Sequence, residues 1–416
     1  EEKFFPKNNI VKYLKVRGSY GEVGNDQIGG DRFLYLPSSY GAASDSGVNK
    51  YNFGLASNPY TSLMIVENKI GNPDLTWEKA KKMNVGVDIN LFNNCLTASF
   101  DIFKEKRNNI LANRSTSPMI IGANLPAYNF GEMENRGWEM DLNFRHHIQD
   151  FHYWARFNYS FARNEIIYMD EVQKRYDYQM TTGRRKNQFF GLIFDGYYNS
   201  WEEINALDRP KSSWSGNQLQ PGDVKYVDVN QDGVIDDYDM VPIGYTPVPE
   251  IIYGFSFGAQ YKGFDFSILF QGADNVSIKY FGRSMWPFAK GEESAKSLIK
   301  ERWTQERSEA GEKITFPRLS LNPNGETDHN YRPSTLWIRD ASYLRLKNLE
   351  VGYTFTGGFV KRLNLNSVRL YFNGSNLFTW TDVVDLDPEA PSRSGNVEIN
   401  TYPLQKVYNI GLNINF

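Results

Sequence analysis

From Tyr408 to Phe416 every second residue is apolar: Tyr408, Ile410, Leu412, Ile414 and Phe416 share one parity, while Asn409, Gly411, Asn413 and Asn415 share the other. Successive side chains of a β-strand point to opposite faces, so this stretch predicts a strand with one apolar and one polar face. The signature recurs upstream. Met83, Val85, Val87, Ile89 and Leu91 alternate with polar or small residues, and after Asn93 and Asn94 the pattern resumes with Leu96, Ala98, Phe100 and Ile102. A second hairpin sets Trp138, Met140, Leu142 and Phe144 against Tyr153, Ala155, Phe157, Tyr159 and Phe161, around a polar turn from His146 to Asp150. A third joins Tyr253, Phe255, Phe257, Ala259 and Tyr261 to Phe264, Phe266, Ile268 and Phe270 through Lys262 and Gly263, a tight-turn pair. Further strands are expected at 13–20, 343–355 and 368–376. The chain therefore predicts roughly ten to twelve strands of about nine to eleven residues, the length a tilted membrane strand needs.

Such strands fit either a half-buried soluble sheet or the wall of a membrane barrel. The connections favour the barrel. A tight turn follows one strand and tens of residues follow the next, whereas a jelly roll or propeller would space its turns more evenly. Aromatic residues make up 15% of the chain, yet the mean hydropathy is -0.55. A polar lumen and long wet loops give that combination. The longest apolar runs are only a few residues, so no helix can span a bilayer. Cys95 is the only cysteine, which excludes an intrachain disulfide and any cysteine-based metal site. The net charge of -3 argues against a nucleic-acid partner. The sequence begins at Glu1 without an initiator Met or a signal-type segment. Either the mature protein starts there or a longer one has been cut. Residues 21–59 read as a long loop with a short hairpin at Arg32–Leu36, and residues 292–305 as a helix carrying Ala295, Leu298, Ile299 and Trp303 at helical spacing.

The sharpest local motif is DVNQDGVIDDYD, residues 228–239. It follows the order of a calcium loop, with Asp228, Asn230 and Asp232 at positions one, three and five, Gly233 at the sharp turn, the Val234 carbonyl at seven, Asp236 at nine and Asp239 at twelve. Calcium takes six to eight oxygens, and so dense an acidic cluster needs a cation to gather it. The competing reading is a solvated turn rich in Asp and Gly. Pro242, Pro247 and Pro249 follow and discourage a paired-helix EF-hand, so a lone structural calcium loop is expected. Loop aromatics at Tyr40, Tyr51, Tyr128, Tyr197, Tyr198, Trp201, Trp214 and Trp286 are candidates for stacking on sugar rings or contacting a lid protein. Catalysis has little support: the neighbours Glu132 and Glu134, and Glu202 and Glu203, read as solvated carboxylates. Neither a nucleophile elbow nor a phosphate loop is present. Of the four histidines, His146, His147 and His152 fall at a barrel turn and His329 lies apart.

Several segments together resemble the C-terminal part of the SusC/RagA family of TonB-dependent outer-membrane transporters. They are NPDLTWEKAKKMNVGVD from Asn72, ENRGWEMDLN from Glu134, PGDVKYVDVNQDGVIDDYD from Pro221, STLWIRDASYLRLKNLEVGYTF from Ser334, NLFTWT from Asn376, and the terminal strand. The resemblance implies an all-β fold, an antiparallel transmembrane β-barrel of which residues 1–416 form the C-terminal segment, with long extracellular loops. The final strands of a barrel of about 22 are present. The plug domain and the energy-coupling segment of the family are absent from this chain. The implied function is import of an oligosaccharide or peptide across the outer membrane of a Gram-negative bacterium, with a SusD-like surface lipoprotein as lid and TonB supplying energy. The rival reading is a soluble, secreted carbohydrate-binding or adhesin module stabilised by calcium. The barrel reading places Met83, Val85, Val87, Ile89, Trp138, Met140, Leu142, Phe255, Phe257, Leu412 and Ile414 against lipid. It places Asn84, Asp88, Glu139, Asp141, Ser256 and Asn413 toward the lumen.

Overall fold

The computed structural model describes the chain except residues 1–9, 27–33, 37–39, 43–49, 56–59, 68–70, 117–124, 215–218, 281–284, 289–296, 321–327 and 390–403. Ten strands form one sheet: β1 (Val11–Asn25), β2 (Glu78–Leu91), β3 (Leu96–Ala112), β4 (Tyr128–Ile148), β5 (Phe151–Tyr168), β6 (Ile251–Tyr261), β7 (Phe264–Asp274), β8 (Tyr343–Phe355), β9 (Ser367–Thr381) and β10 (Val407–Asn415). Each lies antiparallel beside the next in chain order. Short connections close one end of the sheet. At the β6–β7 turn Lys262 and Gly263 both have positive φ (45° and 91°), the backbone a twisted two-residue hairpin requires. The long connections all leave the other end.

The register separates the two side-chain sets as the alternation predicts. One row runs Leu14, Ile89, Ala98, Leu142, Phe157, Phe255, Phe270, Leu346 and Phe378 across nine strands. Its neighbour on the opposite face runs Lys15, Asp88, Ser99, Asp141, Asn158, Gly254, Gln271, Arg345 and Thr379. Among the described residues nothing covers the apolar face: Ile410 is 80% exposed, and Met83, Val85, Ile102 and Phe378 are exposed on the same face. An uncovered apolar surface this wide needs lipid.

Several strands are longer than the nine to eleven residues expected, with 21 in β4 and 9 in β10. The reason lies on the outer face. Beyond Met83, Ile102 and Trp138 the same parity continues as Lys81, Lys104 and Arg136, tied by ion pairs such as Lys104–Glu134 and Lys106–Glu132, both 2.9 Å. The ladder thus outruns the apolar band and enters water. The register also shifts near Val11, Arg107–Leu111 and Glu132, and once between apolar rows, in β8. A bulge leaves Lys347 of β8 and residues 376–377 of β9 without ladder partners, with Asn376 at φ 54°. Below it the even-numbered Leu344 and Leu346 lie on the apolar face; above it Leu349, Val351 and Tyr353 do.

Two local expectations fail. Of the expected helix at 292–305, residues 292–296 lie outside the described residues. The remainder is a 3-10 turn, Ser297–Glu301, followed by an extended bridge from Arg302 to Phe316. A separate helix, Gln305–Glu309, begins at the Thr304 N-cap, whose hydroxyl accepts from Arg307 N. A cap at Thr304 starts a helix rather than continuing one. Arg32 lies outside the described residues, and 34–36 form a turn; the pairings in that loop are instead 40–42 with 65–67 and 50–53 with 60–63.

The buried core of the chain lies in the loops. Leu192, Val224, Tyr226 and Ile235 from the β5–β6 connection pack with Val276, Ile278, Tyr280, Phe316, Tyr331 and Trp337 from the β7–β8 connection. Val383, just past β9, joins them. The two longest connections therefore build one folded loop domain at the open end of the sheet.

Candidate functional site

The polar face of the sheet carries its charges in closed clusters. Arg17 on β1 reaches Asp88 on β2 at 3.1 Å, and Asp101 and Ser99 on β3 at 2.6 and 3.0 Å. Arg369 on β9 bonds Asp265 on β7 and Glu350 on β8. Each guanidinium spans neighbouring strands, which its planar fork of donors permits. A third cluster ties the wall to a loop. Arg345, only 1% exposed, bonds both oxygens of Asp387 at 2.9 Å, Glu389, and the Thr379 hydroxyl at 2.9 Å. The Tyr343 hydroxyl donates to Glu389 at 2.6 Å. Further along the same rim Glu250 accepts from Arg163 at 2.8 Å, from Arg185 and from Asn275. The loop domain is thus pinned to the barrel wall at two places.

Inside the loop domain a buried polar hub replaces secondary structure. His329 Nε2 lies 2.7 Å from the Val224 carbonyl and Nδ1 lies 2.9 Å from the Ser212 hydroxyl. The carbonyl can only accept, so Nε2 carries the proton and Nδ1 accepts from Ser212. Burial pushes the imidazole pKa below its ordinary value, favouring the neutral ring. Asn330 donates to Asp223 at 2.8 Å and accepts from Val224 N, and Arg318 bonds Asp223 at 2.6 Å. Tyr226 and Trp337 donate to the His329 and Asn330 carbonyls, both at 2.8 Å.

The acidic loop 228–239 is compact, and its side chains serve its own backbone. Asp228 accepts from Gly233 N at 2.8 Å, Asn230 from Asp232 N at 3.0 Å, Asp232 from Val234 N at 2.9 Å and Asp236 from Tyr238 N at 2.7 Å. Asp239, fully buried, accepts from Val229 N at 2.8 Å and Asp236 N at 2.9 Å. Burial raises its carboxyl pKa. Val234 sits in a short parallel pairing with Lys211, between the carbonyls of Gly233 and Ile235, which accept from Lys211 and Ser213. The second carboxylate oxygen of Asp228 is buried without a hydrogen-bond partner among the described residues. Its donor chemistry suits a hard cation, although no three His, Cys, Asp or Glu side chains among the described residues converge at ligand distance.

Other singled-out residues fall into place. Tyr197, Tyr198 and Trp286 are buried in the loop domain and present no contact surface. Trp214 lies beneath Arg332, 3.8 Å from its ring centroid; Trp201 and Tyr51 are exposed, and the side chain of Tyr40 lies outside the described residues. Glu132 and Glu134 are spent on lysines, and Glu203 caps Asn199 N at 2.6 Å and pairs with Lys225. His147 and His152 stack at 5.5 Å, with His146 beside Tyr153. The sequence did not flag Tyr176, Tyr178 and Tyr238. They cluster with Arg175 against the acidic loop, where Tyr178 donates to the Tyr238 carbonyl at 2.7 Å. No periodicity links residues sixty positions apart in one irregular connection.

Comparison with known proteins accords with this architecture. Residues 1–377 match the family model described as TonB dependent receptor-like, beta-barrel. The chain is 28% identical over 435 residues to TonB-dependent receptor P3 of Formosa agariphila, covering all of this chain and 40% of that protein. It is 26% identical over 422 residues to TonB-dependent receptor SusC of Bacteroides thetaiotaomicron, covering all of this chain and 39% of SusC. The solved structure of the RagAB peptide importer in its open-open state matches the whole chain with a TM-score of 0.70 at 23% identity, over 41% of that chain. The sequence thus spans about 40% of the length of the relatives it matches. It belongs to the TonB-dependent receptor-like β-barrel family, of SusC/RagA type, whose members lie in the outer membrane of Gram-negative bacteria.

Proposed function

We propose that this chain supplies the last strands and the main loop domain of a transporter that imports an oligosaccharide or peptide across the outer membrane. A SusD-like surface lipoprotein closes the mouth, and TonB supplies energy through the parts of the protein that lie outside this sequence. The carrying observation is the division of one sheet into a bare apolar face and a face of closed charge clusters, with a folded domain fixed at one end. A soluble calcium-stabilised adhesin would have to cover the apolar face, and nothing among the described residues does so. The reading needs no catalytic step: specificity rests on loops and lumen wall. Its test is uptake of labelled oligosaccharide and peptide pools by cells carrying the whole gene, with and without TonB. Uptake of neither pool, or uptake indifferent to TonB, would sink the reading.

We further propose that Asp228, Asn230, Asp232, the Val234 carbonyl, Asp236 and Asp239 hold a structural calcium ion. The support is the motif order and the partnerless buried oxygen of Asp228. Because Tyr178 and Gln179 bond the carbonyls of Tyr238 and Asp237, stripping the ion should loosen both segments. Anomalous scattering should reveal oxygen ligands at about 2.3–2.6 Å. Proteolysis at these loops should be unchanged by chelator if the motif is only a turn.

A further inference from the structure

Where the polar face meets the loop domain, a cleft of about 370 Å³ opens between strands β3, β4 and β5 and the segments 185–186 and 246–250. Its floor is the cross-strand row Glu105, Asn135 and Asn164, which Lys82 continues on β2. Adjacent strands lie about 4.8 Å apart, so the row offers polar groups over roughly 15 Å. Arg107, Arg185, Lys186, Thr246 and Glu250 rise around it.

Two features of this cleft point to a ligand. The first is charge. Glu105 is held by both Lys82 at 3.4 Å and Arg107 at 2.8 Å, and Glu250 by both Arg163 and Arg185. Glu134, the third carboxylate of the lining, is taken by Lys104 at 2.9 Å, and Arg107 also lies 3.9 Å from Glu78, so every carboxylate of the cleft is paired while Lys186 is a cation that no carboxylate among the described residues pairs. The second is unspent hydrogen-bonding capacity. The Asn135 side chain makes no hydrogen bond to the described residues, and the Asn164 side chain uses only its oxygen, accepting from Lys186 N at 2.7 Å. The amide nitrogens of both and the Lys186 ammonium remain as donors lining one space. No aromatic ring among the described residues lines the cleft, so it offers hydrogen bonds and the Lys186 charge rather than stacking.

We propose that this rim cleft is a binding station for a carboxylate-bearing polar solute, its carboxylate at Lys186 and its hydroxyl or amide groups on Asn135 and Asn164. The proposal rests on the import reading and narrows it to acidic cargo. A uronic-acid sugar and the C-terminus of a peptide present the same carboxylate, and the test separates them. Whole transporter purified in detergent is titrated calorimetrically with trigalacturonate, with triglycine, with triglycine amide and with maltotriose. At least one of the two acids should bind more tightly than its neutral counterpart, with affinity falling as salt rises. Lys186→Glu should weaken that acid by roughly three- to tenfold, as expected for reversing one partly exposed charge. Asn135→Ala, on the rigid wall, should weaken it too while maltotriose is unaffected. Maltotriose or the amide binding as tightly as the acids, an acid affinity unchanged in Lys186→Glu, or no binding by either acid would each overturn the proposal. TonB-dependent uptake in cells, measured beside it, keeps the two readings apart: import that persists with an unchanged affinity in Lys186→Glu removes this station and leaves the transporter standing.

Discussion

At the level of single residues, the buried charges separate what can be altered from what cannot. Arg345→Ala would strand Asp387 and Glu389 against the wall, and breaking so buried a pair costs about 3 kcal/mol or more. The expected outcome is a lower melting temperature of the whole protein in detergent, together with proteolysis near residue 387. His329 sets a pH limit. Its folded pKa lies below the ordinary value of about 6.5, so the unfolded loop domain binds the extra proton more readily. The stability tied to the neutral ring is complete above that value and declines as pH falls below it, until the folded-state pKa is passed. Hydrogen-exchange protection at 212–226 and 329–337, corrected for the intrinsic pH dependence of exchange, should therefore fall between pH 7.5 and 5. A His329→Gln variant that folds should lose that dependence; protection that does not change with pH in the native protein would refute the assignment. Little of this was legible beforehand. The acidic loop announced itself because its residues are contiguous, whereas Ser212, Val224 and His329 meet only through tertiary folding.

Among the strands, the alternation was read almost entirely from sequence, because a strand between lipid and a polar lumen must keep strict parity. Phe255 and Ser256 are adjacent residues on opposite faces of β6. Phe255→Arg should destabilise the inserted barrel by about 2–4 kcal/mol near the midplane, and Ser256→Arg far less. Equilibrium folding into lipid vesicles measures the difference, and equal costs would mean the faces are misassigned. Where parity failed to transmit, a specific residue was responsible. The bulge at Lys347 exchanges the faces inside one continuous apolar-looking run, and the extra length of β3 and β4 is invisible because charged outward positions such as Lys104 and Glu134 mimic a loop. The 292–305 misreading has the same origin: helical spacing persisted through Trp303, but the Thr304 cap and the bridge from Arg302 to Phe316 decided the backbone.

Considered as a whole, the described sheet has two free edges, β1 and β10, with no ladder between them. Unpaired backbone groups in lipid cost several kcal/mol each, so this chain expressed alone should fail to give a heat-modifiable band on gels, while the whole protein should give one. A stable, heat-modifiable barrel from residues 1–416 alone would contradict the proposal that further strands complete the wall. The loop domain carries a different consequence, one of timing. Its core draws on residues 192–235, 276–337 and 383, pieces separated by membrane strands that cannot meet until β5 to β9 are zipped in register. Closing such long connections is entropically slow while the strands are unpaired and nearly free once the sheet has brought their ends together. During biogenesis the aromatic interior of the domain, Trp337, Phe316 and Tyr280 among it, must then cross to the cell surface unfolded and collapse last. Holding chaperones that shield Tyr- and Trp-rich loops, rather than the strands themselves, would set how fast this outer-membrane protein matures.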